Sequence, residues 1–297
     1  MNHVITTLAL SAGLLTPILG SAAVLFEDNF NEYANGLDLI TAPDTEWNAY
    51  ASENPNYGTG TLPDAFSVIE DSGNLFGSGT SNKFMKMAVT QTVEKYNINS
   101  SANAFTSSTL TGQVDFRFVD PTDAASTGYG WAVRIGYGNG NDKTSFAIIL
   151  DEGKLHTGVG ASIGNGDVLS TYSMDTAYAV TIVFNNSADS MIYAGGSVAS
   201  KTMDVYLDGV LIGNDVPGSG GEGFSSDPID DPVTYTNIAN INFTAKAYSP
   251  FQDTLYIDDV EVNSDISIPE PSTSAFLIGI SVLLVTFLRR RLKGARS

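Results

Sequence analysis

Asp151-Glu152 and Asp258-Asp259-Val260-Glu261 are the nearest approaches in this sequence to the paired carboxylates that acid and base work on a glycosidic bond requires. Such a pair must face across a cleft, about 5–5.5 Å apart for retention of configuration and further apart for inversion. Asp151-Glu152 precedes Gly153 and reads as a hairpin turn, whereas Asp259 and Glu261 are alternate residues of a strand and share a face. His156 is the sole histidine after His3, so a Ser-His-Asp arrangement would rest on it alone. Gly160-Ala161-Ser162-Ile163-Gly164 has the nucleophile-elbow spacing but no strand-then-helix pattern around it. Gly158 to Gly166 and Gly136-Tyr137-Gly138-Asn139-Gly140 read as glycine-rich loops rather than phosphate cradles. The chain has no cysteine, which excludes disulfides, thiolate catalysis and cysteine-zinc sites together.

Sugar binding makes a different demand: an aromatic ring that stacks on the pyranose face, flanked by hydrogen-bonding groups. Trp47, Tyr129, Trp131 and Tyr137 are the candidates, with Arg134 and Asn139 close by in sequence. Trp131, Val133 and Ile135 alternate with Ala132, Arg134 and Gly136, so the competing reading of Trp131 is a core side chain.

Charge narrows the partners. Of the 14 Lys and Arg, five lie in the last nine residues, and of the 33 acids only Glu270 lies beyond Ile268; Val24 to Ile268 therefore holds 32 acids against 9 bases, net −23. Such a surface repels nucleic acid and attracts cations, or simply keeps the protein soluble. Asp227, Asp230 and Asp231 form no EF-hand register and read as solvated loop acids.

The elements that must position these residues are strands. No sustained 3.6-residue period appears, while β-branched or alternating runs recur between Gly, Asn, Asp and Ser clusters. Strands are expected at Ala65 to Ile69, Phe84 to Val89, Gly112 to Val119, Gly130 to Tyr137, Ser145 to Leu150, Ala177 to Phe184, Thr202 to Leu207, Ile238 to Ala245 and Thr254 to Val262. Val114, Phe116 and Phe118 alternate with Gln113, Asp115 and Arg117, giving one core face and one solvent face. Val205-Tyr206-Leu207-Asp208-Gly209-Val210-Leu211-Ile212 predicts a hairpin, because Asp-Gly accepts the positive φ angles of a type I′ turn. Gly213 to Pro232 reads as a long loop.

Three segments make the body resemble the concanavalin A-like or laminin-G-like jelly roll. They are Leu25-Phe26-Glu27-Asp28-Asn29-Phe30-Asn31-Glu32-Tyr33, the strand Tyr178 to Phe184 with the hairpin Asp204 to Gly209, and Leu255-Tyr256-Ile257-Asp258-Asp259-Val260-Glu261-Val262. The resemblance implies an all-β, antiparallel sandwich with first and last strands adjacent and sugar on the concave face or its edge loops. It also implies a calcium ion tying those strands, with Asp28 and Asp259 as ligands and Asn29 or Asp258 as second choices; the alternative is that these acids merely face solvent. Jelly-roll glycosidases of the laminarinase type carry Glu-x-Asp-x-x-Glu on one strand, which this chain lacks. The sandwich is accordingly expected to be non-catalytic and to bind polysaccharide or associate with matrix. The alternatives are a glycan-active hydrolase of the same fold and a purely structural or adhesive surface protein.

The two ends are targeting segments. Val4 to Gly20 is almost wholly apolar and runs into Ser21-Ala22-Ala23, the small residues a signal peptidase needs, so residues 1–23 read as a signal peptide despite a Met1-Asn2-His3 start without Lys or Arg. At the other end Pro269-Glu270-Pro271 precedes an uncharged run of about 272–288 and the cluster Arg289-Arg290-Arg291. That run would make a helix of roughly 25 Å, the lower limit for a span, oriented by the basic cluster with the body outside. The three-part arrangement over 267–297 resembles the PEP-CTERM sorting signal of Gram-negative bacteria. It implies recognition by an exosortase, first in the inner membrane, with delivery of the 24–266 ectodomain to the cell surface or extracellular matrix; an ordinary tail anchor is the alternative.

Overall fold

The computed structural model describes residues 23–43, 45–52, 65–89, 96–102, 109–122, 130–219, 237–247 and 253–267. Residues 1–22 of the expected signal peptide, the Pro269-Glu270-Pro271 motif, the apolar run, Arg289 to Arg291 and Tyr129 lie outside them. Among the described residues no helix is long and apolar enough to cross a membrane.

Within these residues the chain is an antiparallel β-sandwich. Its strands are β1 (Val24–Asp28), β2 (Leu37–Asp38), β3 (Trp47–Ser52), β4 (Phe66–Glu70), β5 (Lys83–Val89) and β6 (Tyr96–Ala102). Next come β7 (Thr111–Val119), β8 (Trp131–Gly136), β9 (Thr144–Asp151), β10 (Lys154–Val159), β11 (Gly164–Thr171) and β12 (Ala177–Asn185). The last six are β13 (Met191–Tyr193), β14 (Gly196–Val198), β15 (Thr202–Leu207), β16 (Val210–Pro217), β17 (Asn240–Ala247) and β18 (Asp253–Asn263). One sheet has the order β16-β15-β12-β7-β18-β5-β4-β2 with β1 also on β18, nine strands in all. The other has seven, in the order β11-β10-β9-β8-β17-β6-β3, and β13-β14 form a separate hairpin.

Alternation builds the core as the sequence indicates: Val114, Phe116 and Phe118 of β7 turn inward and are buried. Phe116 meets Phe243 of the facing sheet edge-on at 5.7 Å between ring centres, and Phe146 meets Phe184 at 6.0 Å. Each such ring contributes about 1.5–3 kcal/mol by leaving water, so these cross-sheet pairs hold the layers together.

All nine expected strands form, with ends shifted by a residue or two. The Asp208-Gly209 turn forms as argued, with φ of 48° and 75° between paired Leu207 and Val210. Two loop expectations are corrected. The first part of Gly213 to Pro232 belongs to β16, and Gly158 to Gly166 is a loop only over 160–163, its flanks being the adjoining ends of β10 and β11. Glycine is needed there for close approach: a Cβ on Gly158 would sit 2.6 Å from that of Ala147, and one on Gly166 would sit 2.2 Å from Thr157 Oγ1.

The first and last strands are adjacent, Asp28 pairing with Val260 in register. Asp28 also reaches the opposite sheet. Its buried carboxylate accepts the Trp47 indole N–H at 2.7 Å, the Tyr33 hydroxyl at 2.9 Å and the Phe30 amide at 2.7 Å. Trp47 in turn packs between Phe26, Phe30 and Phe243 at 5.4–5.9 Å. Burial pushes the Asp28 carboxyl above the usual range, and these three donors pull it back. Replacing Asp28 by Ala strands those donors and should destabilise the domain by about 3 kcal/mol in urea unfolding. Asp28→Asn, which keeps an acceptor, should lose less than half of that; equal losses would contradict this reading of the knot.

Candidate functional site

On β8, Trp131, Val133 and Ile135 point into the sandwich, leaving Ala132 and Arg134 on the outer face of the seven-stranded sheet. Register extends that face to Ala147 and Ile149 on β9, His156 on β10, and Asn242 and Thr244 on β17. These side chains are buried although they face away from the main core. Part of the cover is Ile163, which packs on Ala132, Ala147 and Ile149. Ile163 is a β-branched residue held at φ 51°, a conformation that such side chains rarely adopt. The turn that carries it is fastened by Asn141 Nδ2 donating to the Ala161 carbonyl at 3.1 Å and Gly160 N–H donating to the Ser219 carbonyl at 2.8 Å.

A polar network crosses the same face. The Arg134 guanidinium donates to Asn242 Oδ1 at 2.6 Å, to Asn141 Oδ1 and to the Asn139 carbonyl at 2.8 Å. Asn242 donates to Asn240, and Asn240 donates to the Ala102 carbonyl, each at 2.9 Å. One guanidinium thereby sets the orientation of two asparagine amides and the β8–β9 loop. His156 sits beyond Ile149, its Nδ1 3.1 Å from the Gly166 carbonyl oxygen and its Nε2 buried without a hydrogen-bond partner. Asp151 ends β9 on this face and accepts from Asn165 Nδ2 at 2.9 Å. Burial raises its carboxyl above the ordinary range.

The aromatic candidates fare differently. Trp47 and Trp131 are 4% and 1% exposed and belong to the core, so neither offers a ring face for stacking, which corrects both expectations. The WAVRIG alternation had already allowed the core reading of Trp131. Tyr137, in the β8–β9 loop, is 41% exposed.

The calcium pair does not fit its residues. Asp28 is engaged by the three donors described above, whose hydrogens occupy the space a cation needs. Asp259 lies 46% exposed and 3.4 Å from Arg117. Among the described residues no group of three or more His, Cys, Asp or Glu side chains could hold a metal ion. A bulge interrupts β18 between Asp258 and Glu261, with Asp259 at φ 49°; Val260 turns into the core, and Asp259, against Arg117, keeps the expected common face with Glu261, opposite Asp115.

That bulge sets Glu261 opposite Asp115 of β7, a carboxylate pair that sequence reading missed because it joins two strands. Asp115 accepts from Thr181 at 2.5 Å and Gln113 at 2.6 Å; burial, with Glu261 adding to it, pushes its carboxyl up to about 6. Asp258, fully buried and bonded to Asn82 at 2.7 Å, is likewise pushed up to about 6, chiefly by burial.

Comparisons with known proteins add distant likenesses. No family model matches the chain, and no curated protein is similar to it. Among solved structures, an endo-1,3-beta-glucanase from Streptomyces sioyaensis has a TM-score of 0.47 at 12% identity, over 87% of this chain and 99% of that one. The Emp46p carbohydrate recognition domain has a TM-score of 0.45 at 8% identity, over 82% and 97%. A carbohydrate esterase from Shiga toxin-encoding bacteriophage phi24B has a TM-score of 0.42 at 13% identity, over 83% and 100%. The expectation that the sandwich is no enzyme is corrected by this set: it contains a glucanase and an esterase beside a recognition domain, so catalysis stays open, without being shown.

The two raised carboxyls generate a pH prediction. Their folded pKa values exceed the unfolded ones, so the stability they contribute is complete below about pH 4 and is lost as pH rises through about 6. For Asp258 the difference is on the order of 2–3 kcal/mol. The melting temperature should therefore be higher at pH 5 than at pH 7.5 by about 5 °C or more, and Asp258→Asn should flatten that slope; a steeper loss at pH 5 would contradict it.

Proposed function

We propose that this is an exported surface protein whose sandwich, a jelly roll of the concanavalin A-like kind, binds polysaccharide on the outer face of the seven-stranded sheet. The observation that carries the reading is the Arg134-Asn242-Asn240 network with Thr244 and His156, polar side chains buried on the face away from the core. A sheet that only needed a partner sheet would leave such groups in water. The buried guanidinium holds the β8–β9 loop through Asn139 and Asn141, and so fixes the exposed Tyr137 ring as the group that would meet a sugar.

Export rests on the ends of the sequence: the signal is removed after Ala23 by signal peptidase, and the Pro-Glu-Pro tail is held in the membrane and read by an exosortase. The way the chain leaves the domain is in keeping with this. Val24 pairs with Asn263, which pairs on its other side with Gln113, and Gln113 clamps Ser267 through bonds of 2.8 and 3.1 Å. Both ends of the mature domain thus emerge together, with Ile268 alone between the clamp and Pro269.

A glycan array probed with the mature protein should find at least one polysaccharide ligand. Arg134→Ala should weaken that ligand at least tenfold while the protein still melts cooperatively; no binding to any glycan would overturn the reading. Mass spectrometry of surface material should find the Arg289 to Arg291 segment missing, and its presence in mature protein would overturn exosortase processing.

A further inference from the structure

His156 is the only histidine the mature chain would keep, and it stands at a position where its chemistry is defined by its neighbours. It lies on β10 between Ile149 of β9 and Val168 of β11, which pair with it on either side. The group within reach of Nδ1 is the Gly166 carbonyl oxygen, which can only accept, so the neutral ring carries its hydrogen on Nδ1. Nε2 is then a bare lone pair. The ring is 9% exposed and that nitrogen is buried without a partner. An acceptor left so is costly to the fold by itself, and such sites are commonly completed by something bound.

A second acceptor flanks it. The Asn165–Asp151 bond spans β10 on the side where His156 lies, since Asp151 is on β9 and Asn165 on β11. That bond engages Oδ2 of Asp151. Lys154 is opposite Asp151 in register but is exposed, and the ion pair found among the described residues is Arg117 with Asp259. Glu152 adds negative charge next door. The subsite therefore offers two acceptors, with the Asn165 amide already spent on Asp151 and the Lys154 charge acting on that carboxylate from the exposed side, within a body whose net charge is −23. Val168, half exposed, supplies an apolar wall beside it.

We propose that His156 and Asp151 form a subsite for the protonated primary amine of an amino sugar. This rests on the polysaccharide reading above and narrows it to a ligand class. An ammonium brings three hydrogens and a positive charge, enough to satisfy the imidazole nitrogen and the carboxylate together, whereas a hydroxyl brings one hydrogen and no charge. Acetylation of the amine removes the charge and two of the three hydrogens, so it should abolish the preference.

The test uses the mature protein with two probes, an oligomer of glucosamine and its fully N-acetylated counterpart. Because one histidine remains, the imidazole nitrogens give one set of signals in a 15N spectrum, and the Nε2 signal should move on adding the glucosamine oligomer and stay in place with the acetylated one. His156→Ala and Asp151→Asn should each weaken binding of the glucosamine oligomer at least tenfold, while His156→Gln, which can still present an acceptor, should lose less than His156→Ala. Melting curves accompany each variant, so that a misfolded protein is recognised; in that case the wild-type spectrum alone decides. Equal affinity for both oligomers, an unmoved Nε2 signal on saturation, or glycan binding confined to neutral sugars would overturn this inference and leave the polysaccharide reading standing. Failure of every glycan to bind would remove both.

Discussion

The Asp28 carboxylate is out of water and surrounded by three donors: the Trp47 indole of β3, and the Tyr33 hydroxyl and Phe30 amide of the turn that follows β1. Because β1 is already laid along β18, this one group ties the closing pair of strands to the facing sheet. Trp47 could serve as a sugar platform only by leaving that position, and Asp28 could serve as a calcium ligand only by giving up its donors. The same contact that closes the sandwich thus removes two candidate functions and directs attention to the outer faces.

Those faces are finished differently. The nine-stranded sheet carries the β13–β14 hairpin, where Val198 packs on Val183 and Tyr206, with Tyr193 donating to Asp204 at 2.7 Å. Ile266 joins that cluster and Ser267 is clamped by Gln113, so the departing chain completes the cover. On the seven-stranded sheet the polar groups of Arg134, Asn242 and His156 lie beside the apolar cluster of Ile163, Ala132, Ala147 and Ile149. Burial of a guanidinium is tolerable because three acceptors surround it. Its bonds to Asn139 and Asn141 fix the β8–β9 loop in place.

Much of this was legible in the sequence. Nine strands announced themselves by alternation or β-branching, and the Asp208-Gly209 turn by the conformational needs of its two residues. The strands β10 and β11 were hidden because Gly158 and Gly166 look like loop residues when only composition is read; their reason is contact with Ala147 and Thr157 on neighbouring strands. The site was less legible. Alternation in β8 contained the signal that Trp131 points in and Arg134 points out, yet nothing local says that Asn242 is Arg134's partner 108 residues away. Asp115 and Glu261 meet only because a bulge in β18 sets the register. His156 could be singled out by being alone, whereas its unpaired nitrogen depends on the Gly166 carbonyl across the β10–β11 pair.

The central claim is that the polar outer face of the seven-stranded sheet is the recognition surface. Hydrogen exchange of the mature protein, measured amide by amide with and without a glycan ligand at saturation, tests it most directly. The account predicts that added protection gathers on β8, β9, β10 and β17 and on the turn that carries Ile163. Protection confined to the nine-stranded sheet, its β13–β14 hairpin or the β18 end would contradict it.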